Sequence, residues 1–272
     1  VLGLPSESAV TSSRSPTHES RARASAFTAS IAVSEAVEVV HGAVDAPVFL
    51  TCEHASQRLP PGWVWPEPDL RLVDTHWAYD LGAREITLAL ARELGASAVL
   101  ARFTRLLADP NRDPAHDDMF RALADGEPVL LNTGLEEADK QRRIDLYHRP
   151  YHEALDAALT RVNKPLLFSV HSFTPLYEGV PREVELGVLF NQDEDDALAL
   201  GNTLSKHFAR VAYNEPWSGR SGLIYAAERH ATTYGLRALE LEVRQDLAVD
   251  PAYRARLVPV LVDFFRSLRG VG

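Results

Sequence analysis

Apolar residues along the chain fall into short continuous blocks, separated by stretches in which they recur at every third or fourth position. The blocks "APVFLTC", "ASAVLARF", "PLLFSVHS", "EVELGVLF" and "LRALELEVR" are rich in Val, Leu and Phe and predict strands. Between them, "LVDTHWAYDLGAREITLALARELGA" keeps the helical spacing throughout and predicts one long helix, closed by Gly95 as its C-cap. Further helices are predicted for "QRRIDLYHRPYHEALDAALTRV", "EDDALALGNTLSKHFARV" and "PAYRARLVPVLVDFFRSL", the last opening on Pro251 in a favoured early position. Alternation of this kind, from "IAVSEAVEVVHG" onward, belongs to a sheet with helices on its faces. We therefore expect a single α/β domain over residues 33–272, in three α/β/α layers around a mixed central sheet. The stretch "NRDPAHDDMFRALADGEPVLLNTGLEEADK" is weakly periodic and is expected to be an active-site loop or a lid.

Residues 1–32, rich in Ser, Thr, Ala and Arg and almost without periodicity, are expected to form a disordered extension. An over-extended start is preferred there over a transit peptide. The net charge of -10 leaves no basic excess to neutralise phosphates, which argues against nucleic-acid and anionic-membrane partners and favours a small molecule. The single cysteine, Cys52, excludes a disulfide framework and a multi-cysteine zinc site, so any metal must be held by His and carboxylate. That usage fits a reducing cytoplasm. Apolar runs such as "LVPVLVDFF" are far shorter than the roughly 20 residues of a membrane span.

In open α/β sheets, ligands gather beyond the carboxyl ends of the strands. Here one strand runs into Glu53 and His54, a second into "TRLLADPNRD", a third into His171 and Ser172, and a last carries Glu240, Glu242 and Arg244. A lone strand-end histidine is more often a hydrogen-bonded structural residue. Convergence of these strand ends is what points to a site.

Taken together, "CEHAS", "HWAYDLGA", "TRLLADPNRD", "YHRPYHEAL", "VHSFTP", "NEPWSG" and "LEVRQD" resemble the N-formylglutamate amidohydrolase family, over about Pro47 to Asp246. That family is similar to the zinc carboxypeptidases and aspartoacylases. The resemblance implies a zinc-carboxypeptidase-like fold, zinc ligands at strand ends, an Asn-Arg pair for a substrate carboxylate and a Glu-x-Arg strand carrying the catalytic glutamate. Asn111-Arg112 and Glu242-Val243-Arg244 occupy the last two patterns.

A strand end gives a side chain little freedom, so an imidazole there can be aimed at a metal with small entropic loss. His54 and His171 are the first two expected ligands. The related enzymes take a third from a glutamate three residues after the first histidine, where this chain has Gln57, a neutral amide. Asp80 or His76, four apart on the predicted helix, or Glu53 must then serve; Asp80 is preferred, the alternative being a surface acid paired with Arg84. Glu242 is the expected general base, although Glu240 lies on the same strand face and only the Glu-x-Arg pattern favours Glu242. Arg112 fits a substrate carboxylate as a planar bidentate donor, with Asn111 beside it and Arg105 in the same pocket, unless "ADPNRD" is simply a turn. His152 is expected behind the ligands or beside the substrate and His148 is expected to be structural. Ser172 lacks the elbow motif of a serine hydrolase. Trp63, Trp65 and Trp77 wall the pocket or belong to the core, and "NQDEDDA" forms a solvated loop and helix start.

The expected activity is zinc-dependent cleavage of the amide of a small acidic N-acyl amino acid, with N-formyl-L-glutamate, giving formate and L-glutamate, as the substrate the resemblance implies. Alternatives are a carboxypeptidase-like or aspartoacylase-like hydrolase of another acidic substrate, and a non-catalytic binding protein for acidic metabolites.

Overall fold

A computed structural model describes residues 30–268 of the protein. Its strands, in chain order, are β1 (Ser30–Val33), β2 (Val37–His41), β3 (Val48–Cys52), β4 (Ala98–Ala101), β5 (Leu123–Ala124), β6 (Glu127–Pro128), β7 (Leu166–Phe173), β8 (Leu176–Tyr177), β9 (Val180–Pro181), β10 (Leu186–Leu189), β11 (Val211–Tyr213) and β12 (Ala238–Arg244). Eight of them form the central sheet, in the order β1-β2-β4-β3-β7-β12-β10-β11; β5-β6 and β8-β9 are separate hairpins. Strand β3 is parallel to β4 and β7, and β7 to β12, whereas β2 is antiparallel to β4 and β10 to β12. The sheet is mixed: β4, β3, β7 and β12 form a parallel block at its centre, and β10 and β11 run parallel to each other at one edge.

The helices are α1 (Ala83–Leu94), α2 (Glu137–Arg143), α3 (Arg149–Leu159), α4 (Glu194–Leu204), α5 (Tyr225–Tyr234), α6 (Gln245–Ala248) and α7 (Pro251–Ser267). They cover both faces of the sheet. On one face, Leu50, Phe168 and Leu241 pack with Ile86 and Leu90 of α1, Leu200 of α4 and Phe265 of α7. On the other, Phe49, Val99 and Leu167 pack with Tyr151 and Leu155 of α3 and Ala231 of α5. Neighbours such as Phe49 and Leu50 thus point into different layers, which is why β3 and β7 read as unbroken apolar runs. Helix α7 starts as its sequence predicts, with Asp250 accepting the Ala252 N–H and Pro251 in the first turn.

Several expectations need correction. The expected extension over residues 1–32 lies outside the described residues except for its end, where Ser30 to Ala32 pair with β2. The long helix predicted from Leu72 begins only at Ala83, because Gly82 stands in a left-handed conformation (φ 82°) that stops it. Upstream, a short 3-10 turn (Glu67–Leu72) and a series of tight turns bury Leu72 and Ala78. His76 and Asp80 therefore share no helix face. Helix α4 ends at Leu204; the rest of its predicted span forms turns, and its last residue, Val211, opens β11. Helices α2 and α3 are joined through a π turn at Ile144–His148, a wider winding that accommodates Pro150, which has no N–H to give to the preceding turn. No helix among the described residues is long and apolar enough to cross a membrane.

Candidate active site

Strand β3 delivers Glu53 and His54 just past its carboxyl end, beside the end of β7. In the β7-β12 register, His171 lies opposite Glu242 and Ser169 opposite Glu240, so all four side chains share one face of the sheet. The tight turns before α1 bring Asp80 onto the same spot: its N–H donates to the His54 carbonyl, and its Oδ2 accepts from the Ser172 N–H at 3.2 Å. The Ser172 hydroxyl donates to the Leu81 carbonyl and so fastens this loop rather than serving as a nucleophile.

His54, Asp80 and His171 bring one donor atom each to within 4.8 Å of one another, and all three are buried. Both Nδ1 atoms face Asp80 Oδ2, at 3.3 Å from His54 and 2.8 Å from His171. The far nitrogens are also engaged. His54 Nε2 lies 2.7 Å from Asp109 Oδ1, and His171 Nε2 lies 2.9 Å from Glu53 Oε2. Each imidazole is thus backed by a carboxylate, the arrangement that fixes ring orientation and raises basicity in metal-binding histidines. Two imidazoles and a carboxylate are a donor set that fits a divalent ion of the zinc type. Glu53 accepts further hydrogen bonds from Tyr151 (2.8 Å) and Ser169 (2.5 Å), so it is tied behind His171. Gln57 points elsewhere, bridging Asp74 through two hydrogen bonds, and Arg84 pairs with Glu38 rather than with Asp80.

These contacts order the charges. Burial works to raise Glu53, yet the hydrogen bonds from His171, Ser169 and Tyr151 bring it down to about 2. Asp80 is likewise pulled well below the carboxylate range by His54 and His171, against the effect of burial. Burial and the charges of Glu53 and Asp80 lift Glu240 to about 7, with His171 opposing. Glu242 rises well above its ordinary value, through burial first and then the neighbouring Glu240 and Asp80. The two glutamates differ in their partners. Glu240 lies 3.5 Å from both His171 Nε2 and the Asn111 amide, whereas Glu242 Oε2 is buried with no hydrogen-bond partner. A second group able to hold a metal, His171 with Glu240 and Glu242, shares His171 with the first but offers only one nitrogen.

A cavity of about 260 Å³ opens over this cluster, reaching Glu242, Arg105, Asn111 and Arg112. Arg105 is bound inward, donating to Asp109 (3.0 and 3.2 Å) and Asp80 (3.4 Å). Asn111 is similarly engaged: its oxygen accepts from the Ala226 N–H and its amide donates to the Leu223 carbonyl and Glu240. Arg112 gives one hydrogen bond, to the Asn111 carbonyl, and its Nε has none. Of the tryptophans singled out in the sequence, Trp77 lines the cavity, while Trp63 packs with Tyr147 and Trp65 with a small cluster around Leu72. Of the 111–140 stretch, Asn111, Arg112, Asp118 and Arg121 line the cavity, and its later part is anchored by Asp69, which accepts the Leu130 and Leu131 N–H groups.

The π turn places His148 and His152 side by side, ring centres 4.4 Å apart, behind the Asp109–Arg112 segment. His148 Nε2 bonds to the Arg112 carbonyl. His152 Nδ1 bonds to His230, and His230 to Asp156, both at 2.8 Å. Burial holds His148, His152 and His230 below the ordinary histidine value. Residues that the pattern did not single out include Arg182 of the cavity lining, while Asp109 and Trp217 stood only inside the quoted "TRLLADPNRD" and "NEPWSG".

Comparison with known proteins agrees with this architecture. Residues 46–249 match the family model described as N-formylglutamate amidohydrolase. An N-formylglutamate deformylase from Pseudomonas putida is 29% identical over 180 residues, 56% of this chain and 63% of the relative's length. The crystal structure of a gene product from Agrobacterium tumefaciens superposes with a TM-score of 0.80 at 28% identity, covering 87% of this chain and 96% of that one. An N-formylglutamate amidohydrolase from Ralstonia eutropha, 18% identical with a TM-score of 0.67 over 87% of this chain and 99% of its own, shares the fold. Strand ends, register and family match converge: the chain belongs to the N-formylglutamate amidohydrolase family, a family of amide-bond hydrolases.

Proposed function

We propose that this protein is a zinc-dependent amidohydrolase that converts N-formyl-L-glutamate to formate and L-glutamate in the cytoplasm. The observation that carries the reading is the unpartnered Glu242 Oε2 beside the convergent His54, Asp80 and His171 donors, in one cavity with Arg112. His54 Nδ1, His171 Nδ1 and Asp80 Oδ2 would hold the ion, and zinc bound there would supply Lewis-acid polarisation of the amide carbonyl and of water. Glu242 accepts the proton of the attacking water and delivers it to the leaving nitrogen, so that the amide C–N bond breaks as the formate C–O bond forms. Arg112 binds a substrate carboxylate with its free in-plane donors, and Asn111 fixes the backbone that carries it. Arg105 offsets the charges of Asp80 and Asp109.

The test is metal content by mass spectrometry together with formate release from N-formyl-L-glutamate. About one zinc per chain is expected, lost with activity in His54→Ala. Glu242→Gln should retain zinc and lose about 10²–10⁴-fold in kcat. Near-normal turnover in a zinc-loaded Glu242→Gln protein would overturn its role as base.

A further inference from the structure

A dicarboxylate brings two negative charges into a cavity already lined by Asp80, Asp109, Glu240 and Glu242. Each needs a cation that is not already neutralised, because an uncompensated charge is costly to bury. Four guanidiniums line the cavity. Arg105 is paired with Asp80 and Asp109, and Arg121 with Asp118 at 3.3 Å. Among the described residues, Arg112 and Arg182 make no ion pair.

Arg182 directly follows the β8-β9 hairpin. Its guanidinium carbon lies 4.6 Å from the ring centres of both Tyr177 and Trp217, and 5.7 Å from that of Phe173. The Tyr177 and Trp217 rings are nearly perpendicular, at 88°, so they form a corner rather than a single wall. A guanidinium held against aromatic rings keeps its charge, and the N–H donors turned away from the rings can meet a carboxylate. One of them reaches only a long contact, 3.5 Å to the Thr174 carbonyl. Aromatic contact on several sides thus holds this cation without pairing it to a carboxylate, which lowers the ordering cost of binding.

We propose that Arg182 is the specificity-determining residue that receives the side-chain carboxylate of the substrate, while Arg112 receives the α-carboxylate. The assignment rests on the amidohydrolase reading above. The α-carboxylate sits one carbon from the scissile nitrogen and so must lie near the donor cluster. Arg112 adjoins Asn111, whose amide reaches Glu240 in that cluster, whereas Arg182 stands just after a hairpin outside the central sheet.

The experiment compares kcat/KM for N-formyl-L-glutamate and N-formyl-L-glutamine in zinc-loaded wild type, Arg182→Met and Arg182→Lys. Wild type should favour the glutamate substrate. Arg182→Met should lose about 10–100-fold on that substrate, mainly in KM, with the preference collapsing toward unity. Arg182→Lys, which keeps the charge but not the planar fork, should restore part of it. An unchanged preference in Arg182→Met would overturn the proposal. So would an equal loss on both substrates carried by kcat with a displaced pH profile, since Arg182 would then act through Glu242, whose charge it feels. Calorimetric titration with L-glutamate and L-glutamine separates this inference from the reaction itself. Should wild type hydrolyse neither substrate, the amidohydrolase reading fails, and loss of L-glutamate binding alone in Arg182→Met still supports the carboxylate subsite; unchanged binding refutes it.

Discussion

An imidazole offers a cation one nitrogen, and the group that holds the other nitrogen decides how well it is offered. Asp109 holds His54 as Glu53 holds His171. Replacing Asp109 by Asn keeps the shape but removes the charge, and should weaken zinc binding about 10–100-fold in a competition titration against a chromophoric chelator. An unchanged affinity would remove Asp109 from this role. That His54 and His171 come together was legible because a reactive residue at the end of an apolar strand is conspicuous. Asp109 was not, since Asp, Pro and Asn write the same signature whether a turn is structural or orients a ligand. Glu240 and Glu242 were inseparable by strand alternation; only the hydrogen bonding of Glu240, and its absence at Glu242, tells them apart. Arg182 left no sequence signal at all, because its role depends on Tyr177 before it and Trp217 far along the chain.

At the scale of elements, the five strands predicted as apolar blocks all exist, and the start of α7 falls where Pro251 predicts. The helix before Ala83 was misread because its apolar letters recur at helical spacing while the chain forms tight turns over Val73–Leu81 that bury Ala78 and Asp80. Gly82 settles the boundary twice over. Its φ of 82° disfavours any side chain, and a Cβ there would stand 2.3 Å from the Ala248 carbonyl oxygen. Gly82→Ala must therefore push apart the Asp80 loop and the helix that follows β12. We expect a loss of about 1–3 kcal/mol in urea unfolding, together with weaker zinc binding. Wild-type behaviour in both would mean that the two segments yield independently.

For the whole molecule, the buried histidines make stability depend on pH. His148, His152 and His230 have folded values below the ordinary 6.5, so the fold keeps them neutral while the unfolded chain protonates. Their contribution is complete above about pH 6.5 and is lost as pH falls below it, by about 1.4 kcal/mol per pH unit for each proton the fold excludes. Between pH 6.5 and 5, His230→Gln should lose stability less steeply than wild type in urea unfolding. Equal slopes would show that His230 is protonated alike in both states. The division between strand ends and hairpins carries a last consequence, for the history of such a molecule. The histidine donors and Glu242 are fixed by β3, β7 and β12, and Asp80 is tied to the ends of β3 and β7, so one displaced residue there disturbs several others, whereas Arg182 adjoins two-residue strands outside the sheet. Substitutions in that hairpin can exchange one acyl amino acid for another while the amide chemistry stays intact, so descendants of one ancestor can diverge in diet without reinventing the reaction.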